Sequence, residues 1–95
     1  MMREIWKFPL EITDRQNISM PCVFRLLTVQ VQNGQPVAWA VVEPKSARVE
    51  VRFFCVGTGN PEMILSDIQA YLGTVQLDGL VWHYFWDPLF AVEEA

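Results

Sequence analysis

Apolar and polar positions alternate with period two along most of the chain. From Trp6 onward, Trp6, Phe8, Leu10 and Ile12 fall on one face and Lys7, Pro9 and Glu11 on the other, which is the pattern of an amphipathic strand. Pro9 has no N–H to give to a ladder, so this strand belongs at a sheet edge or at a bulge. The segment TDRQNISMP, Thr13 to Pro21, reads as a polar turn in which Asp14 and Asn17 suit local capping.

Two hairpins follow from their turn residues. VFRLLTVQVQ leads to Asn33-Gly34 and then QPVAWAVVE, and YLGTVQL leads to Asp78-Gly79 and then LVWHYFW. Asn-Gly and Asp-Gly favour the two-residue type I′ turn, whose central positions both need positive φ. The first turn sets Gln32 opposite Gln35, Gln30 opposite Val37, Thr28 opposite Trp39 and Leu26 opposite Val41. Leu27, Val29, Val31, Ala38, Ala40 and Val42 then form a fully apolar face that covers a core. The second turn pairs Leu77 with Leu80, Val75 with Trp82, Gly73 with Tyr84 and Tyr71 with Trp86. Thr74 with His83 and Leu72 with Phe85 lie on its other face. Gly73 leaves room for the Tyr84 ring to lie across the strand.

Between the hairpins, Val49, Val51, Phe53 and Cys55 alternate with Arg48, Glu50 and Arg52 in a further strand. VGTGNP, residues 56–61, then feeds a single helix candidate of one or two turns. Asn60 can cap it, Pro61 fits the first helical position, and Met63, Ile64 and Ile68 give it a weak apolar face. The tail DPLFAVEEA, residues 87–95, is too apolar for a free end and is expected to form a last helical turn or to dock on a neighbouring subunit. The expected fold is mainly β: one domain over 1–95, a small antiparallel sandwich or partly open barrel of about six strands with one short helix.

Composition narrows the function classes. Apolar residues make up 52% and charged residues 19% of the chain, which excludes a disordered protein. A net charge of −4 argues against nucleic acid, whose phosphates need a basic face. No run of about 18 apolar residues is present, so no transmembrane helix is expected, and the charged N-terminus does not read as a signal peptide. Cys22 and Cys55 read as reduced thiols, without a CxxC motif. Four Trp, six Phe and two Tyr exceed what a core this size absorbs, so part of that surface is expected to serve a partner or a second subunit.

The candidate chemistry is binding rather than catalysis. Gly57 and Gly59 can bare backbone N–H groups to an anion, Thr58 adds a hydroxyl, and Asn60 opens the helix candidate with its dipole. The loop lacks the Lys-Ser/Thr of a Walker motif and does not match GxGxxG, and a glycine turn that only redirects the chain is the commoner case. Arg48 and Arg52 share a strand face. With Arg25 from the neighbouring hairpin they are placed to clamp a phosphate or carboxylate, while the plainer reading is a solvated face with Glu50 between them. Arg15 lies in a polar loop that can reach a ligand. Trp39, Trp82 and Tyr84 are the aromatics assigned to stacking, although such clusters more often fill cores. His83 is the one histidine and has no metal-ligand spacing around it, so it reads as a satisfied, partly buried side chain. No paired carboxylates, Ser-His-Asp or Cys-His set appears, so no enzyme, metal or cofactor is expected.

IWKFPLEITDRQ, LLTVQVQNGQPVAWAVV, GTGNP and YLGTVQLDGLVWHYF together resemble a family of small proteins encoded by bacteriophages and prophages, without assigned activity, over residues 4–86. That resemblance implies an accessory role in the cytoplasm of a bacterial host. Joined to the residue reading, it leads us to expect a non-catalytic, homo-oligomeric counter-defence protein that sequesters a nucleotide-like small molecule. The alternatives are an inhibitor that binds a host defence protein and a minor structural component of the virion.

Overall fold

The computed structural model describes residues 2–60 and 69–93. Seven antiparallel strands form two sheets: β1 (Glu4–Pro9), β2 (Arg15–Pro21), β3 (Phe24–Gln32), β4 (Gln35–Val42), β5 (Arg48–Gly57), β6 (Ala70–Leu77) and β7 (Leu80–Glu93). One sheet has the order β1-β4-β3 and the other β2-β5-β7-β6. Both sheets are open, and the proline-bearing β1 lies at an edge as its sequence requires. No helix occurs among the described residues. The helical turn expected from Pro61 lies outside them.

The strand count is seven because TDRQNISMP is not a turn. Residues Arg15–Pro21 pair along β5, with Gln16 opposite Phe53, Ile18 opposite Val51 and Met20 opposite Val49. Met20 is fully buried. A polar outer face of Arg15, Asn17 and Ser19 hides this alternation, and the free edge of β5 supplies the backbone partners that the segment cannot supply itself. The tail likewise continues as strand: Ala91 to Glu93 of β7 pair with Val51 to Val49 of the same chain.

Both hairpins keep their predicted register next to the turn, where Asn33, Gly34, Asp78 and Gly79 all take positive φ. Each then departs from it at a bulge. In the first, Thr28 pairs with Trp39 but Leu26 pairs with Ala40, so Leu27 is the extra residue. Leu26 and Phe24 turn inward against the core, and Leu27 turns out to 45% exposure. In the second, Gly73 pairs with Tyr84 but Tyr71 pairs with Phe85 rather than Trp86, with Leu72 as the extra residue. A bulge opposes two residues to one and so reverses the inside–outside parity beyond it.

The core lies between the sheets. Phe53, Val51, Met20 and Tyr84 from one layer meet Ala38, Ala40, Val42 and Val29 from the other. The crossing over residues 10–14 is pinned from three sides. Leu10 N–H donates to the Pro36 carbonyl at 2.9 Å, Cys55 N–H to Asp14 at 3.2 Å, and the Tyr84 hydroxyl to the Glu11 carbonyl at 3.0 Å. Burial raises the Tyr84 phenol well above its ordinary pKa, with the adjacent Cys55 adding to the shift. At one side of the sandwich β3 packs against β6. There Gly73 makes room for Val29 of the opposite sheet rather than for Tyr84: a Cβ at Gly73 would lie 2.8 Å from Val29 Cγ1.

Candidate functional site

The outer face of the four-stranded sheet gathers most of the candidate chemistry. Val49, Val51, Phe53 and Cys55 are buried, so Arg48, Glu50, Arg52, Phe54 and Val56 of β5 point away from the core. Register carries that face across all four strands. Arg15 pairs with Phe54, Phe54 with Phe85, and Phe85 with Tyr71. The result is one unbroken row of a guanidinium and three aromatic rings. Tyr71 and Phe85 meet edge to face, with centroids 5.5 Å apart at 62°. Tyr71 is 60% exposed. A shallow, wide-open hollow lined by Thr13, Asp14, Arg15 and Phe54 lies at the arginine end.

The next row holds a hydrogen-bonded chain. Val56 and Thr74 pair with His83 from either side. Thr74 Oγ1 lies 2.9 Å from His83 Nδ1, Thr58 Oγ1 lies 2.7 Å from Nε2, and the Tyr71 hydroxyl lies 2.5 Å from Thr74 Oγ1. The chain links the GTGN turn to the aromatic row. Thr58, His83 and Thr74 have the outline of nucleophile, base and orienting group. The orienting position, however, is a neutral hydroxyl, which cannot stabilise an imidazolium as a buried carboxylate does.

The structure brings together some of the sequence-predicted residues and separates others. Arg15, Arg48, Arg52 and Thr58 share this face or its rim. Arg48 is engaged with Ser19, donating to its hydroxyl at 3.0 and 3.2 Å and to its carbonyl at 3.1 Å. Arg25 sits on β3 in the other sheet, paired with Val41, so the three-arginine clamp is not assembled. Trp39 also lies on the other sheet, between Lys7 and Thr28. Tyr84 is fully buried, and Trp82 points inward and packs against the core. Gly57 lies flat on that indole, where a Cβ would come within 3.2 Å of the ring. In the turn, Thr58 N–H donates to Val81 and Asn60 N–H to Gly57, both at 3.2 Å. The Asn60 amide thus closes the turn and the Thr58 amide ties it to β7, and Gly59 takes the left-handed backbone at φ 85°.

Phe54, Phe85, Tyr71 and His83 are the residues that sequence reasoning left out of the site. Phe54 carried a usable signal, since it is a large aromatic at the polar parity of β5. A second hollow, of about 320 Å³, is lined by Met2, Glu4, Glu43, Pro44 and Lys45. Its two carboxylates, one of them paired with Arg3 at 3.2 Å, make it a poor receptor for an anion. Among the described residues, no group of three or more His, Cys, Asp or Glu side chains is placed to hold a metal ion, and no helix is long and apolar enough to cross a membrane.

A family model for DUF7352, a domain of unknown function, matches residues 1–94. The chain belongs to the DUF7352 family. No curated protein and no solved structure matches it. Family membership thus covers the whole sandwich, both hairpins and the outer-face row, and it carries no activity with it.

Proposed function

We propose that this DUF7352 protein is a non-catalytic binding module that holds a planar, anionic, nucleotide-like ligand on the outer face of its four-stranded sheet. The observation that carries this reading is the Arg15–Phe54–Phe85–Tyr71 row. Tyr71 is exposed and Phe54 and Phe85 are half-buried; aromatic rings on a sheet take a stacked base at about 1–3 kcal/mol per base, and a neighbouring guanidinium donates to its phosphate. The GTGN turn contributes through the Thr58 hydroxyl and the Gly59 amide at the rim. Within this reading the protein is a phage-encoded accessory protein. It works in the bacterial cytoplasm as a homo-oligomer and sequesters a nucleotide signal of host defence.

A thermal-shift screen with linear and cyclic nucleotides and ADP-ribose-type molecules tests it. At about 100 times the dissociation constant, linkage stabilises the fold by about 2.7 kcal/mol. The shift should disappear in Arg15→Glu and in Phe54→Ala while both variants stay folded. A flat screen on folded protein sinks the reading, and so does a ligand response that both variants retain.

The other sheet favours a second reading, a module that binds and inhibits a host defence protein. Ile5 is 63% and Leu27 45% exposed, and with half-buried Trp39 and Val41 they place apolar area among Lys7, Arg25 and Thr28 on that outer face. Ile5→Lys with Leu27→Lys should then abolish binding to a purified host target and leave every nucleotide response intact.

A further inference from the structure

The Thr58–His83–Thr74–Tyr71 chain contains three hydrogen bonds. With a neutral imidazole its four groups carry four polar hydrogens, one each. Three close the chain, and one is left over. When Nε2 carries the ring proton, it donates to Thr58, Thr74 donates to Nδ1, and Tyr71 donates to Thr74. The spare donor is then Thr58, and Tyr71 can only accept from outside. When Nδ1 carries the ring proton and every bond runs the same way, the polarity reverses: Thr58 accepts and Tyr71 donates. In an aligned neutral chain the two ends therefore always differ.

Protonation of His83 adds a fifth hydrogen. Both ring nitrogens then donate, Thr58 to one side and Thr74 to the other receive them, and Thr74 passes its own hydrogen to Tyr71. Thr58 and Tyr71 are both left with a hydrogen to offer outward, and the face gains a positive charge. Both ends are exposed. Val56 lies opposite on β5, and Thr74 and Tyr71 face His83 from β6. The turn 58–60 carries no titratable group. Arg15 ends the adjacent aromatic row, with Asp14 beside it, and Arg52, Glu50 and Arg48 lie farther along the outer face of β5. On β7 itself Asp87 is buried four residues after His83, and Asp78 lies in the turn between β6 and β7.

We propose that anion capture on this face is proton-linked: an anionic ligand binds the imidazolium form of His83, which turns both ends of the hydroxyl chain into donors. This rests on reading the face as a site for a planar anion, and it adds the protonation state that the site selects. Anion affinity rises as pH falls, and binding takes up a proton.

The test uses 3′,5′-cyclic AMP, whose phosphodiester keeps one negative charge at both pH values tested, with uncharged adenosine as control. Calorimetry at pH 5.5 and pH 8 gives the affinities, and NMR follows the one imidazole of the chain. The expected result is about tenfold tighter cyclic AMP binding at pH 5.5, matched by a rise of about one unit in the His83 titration midpoint on saturation. Adenosine should show neither change. His83→Gln should bind cyclic AMP at the pH 8 level at both pH values.

Three results overturn the proton linkage but keep the binding site. One is cyclic AMP binding that perturbs Phe54 and Phe85 at an affinity independent of pH. Another is adenosine sharing the pH gain, and the third is His83→Gln retaining it. Absence of cyclic AMP binding at both pH values overturns proton-linked capture of this probe. If the wider nucleotide screen is also flat, the binding reading falls with it.

Discussion

Gly73→Ala tests the contact that joins the two sheets. A methyl group at this position would lie 2.8 Å from Val29 Cγ1 and 3.6 Å from the Val29 backbone N and O. Carbon atoms in good contact sit about 3.5–4.0 Å apart, so roughly 1 Å of overlap must be relieved. Val29 cannot easily give way. It is 3% exposed, its χ1 is stiff, and its backbone is held in the β3–β4 ladder opposite Ala38. Overpacking of this kind costs about 1–3 kcal/mol. Replacing glycine also lowers the entropy of the unfolded chain, which offsets about 0.4–1 kcal/mol. The expected net destabilisation lies between about 0 and 2.6 kcal/mol, and each kcal/mol lowers Tm by roughly 4–8 °C for a domain of this size. Urea unfolding followed by tryptophan fluorescence should show a lower midpoint at an unchanged m value. Val29→Ala removes the clashing methyl group. In that background Gly73→Ala should cost at least about 1 kcal/mol less, a coupling that identifies the pair. An equal effect of Gly73→Ala in both backgrounds would refute the sheet-to-sheet contact.

Further outcomes follow from the same geometry. Tyr84→Phe removes the donor to the Glu11 carbonyl and should lower stability by about 1 kcal/mol at pH 7. Burial raises the pKa of Tyr84 above its ordinary 10.0 and that of Cys55 above its ordinary 9.0. The unfolded chain therefore releases these protons first, and stability present below about pH 9 drains away as pH rises through 10. Differential scanning calorimetry from pH 8 to 11 should show a shallower decline for Tyr84→Phe than for the parent, and parallel curves would contradict the assignment. Leu27→Thr should change stability by less than about 0.5 kcal/mol, because the bulge turns Leu27 outward. Val29→Thr, at the same nominal parity, should cost about 1–3 kcal/mol by burying a hydroxyl group, so equal costs would remove the bulge. Gly59→Ala should cost about 1–2 kcal/mol from its positive φ, since the space around it is open. Gly59→Asn should cost less, and chemical denaturation that ranks the two the other way would contradict the left-handed turn.

Much of the outer-face site was out of reach of periodicity for an identifiable reason. Strict alternation puts Tyr71 opposite Trp86 and therefore inside, and it leaves Phe85 opposite Leu72. The bulge at Leu72 moves Tyr71 to Phe85 and completes the aromatic row. Neither Leu27 nor Leu72 carries a residue signal that marks it as the extra position. The arginines were read on the correct face of β5, but which hairpin lies beside β5 depends on strand order. Arg25 falls outside the site on that account, while Arg15, a candidate from the sequence as part of a loop, takes its position beside Phe54 because that segment pairs as β2.

What the chain determines by itself is local. Period-two alternation makes it a β protein, Asn33-Gly34 and Asp78-Gly79 place two type I′ hairpins and their first rungs, Pro9 keeps β1 at an edge, and the buried parity of β5 is readable residue by residue. Tertiary structure decided the rest: β2 as a seventh strand, the bulges, Gly73 against Val29, and the row from Arg15 to Tyr71. Those features depend on backbone partners and on packing between sheets, and a strand's partner lies far away in sequence. Turn chemistry acts over two to four residues, whereas the site is assembled from positions 15, 54, 71 and 85, which meet only once β2, β5, β7 and β6 have paired into one sheet.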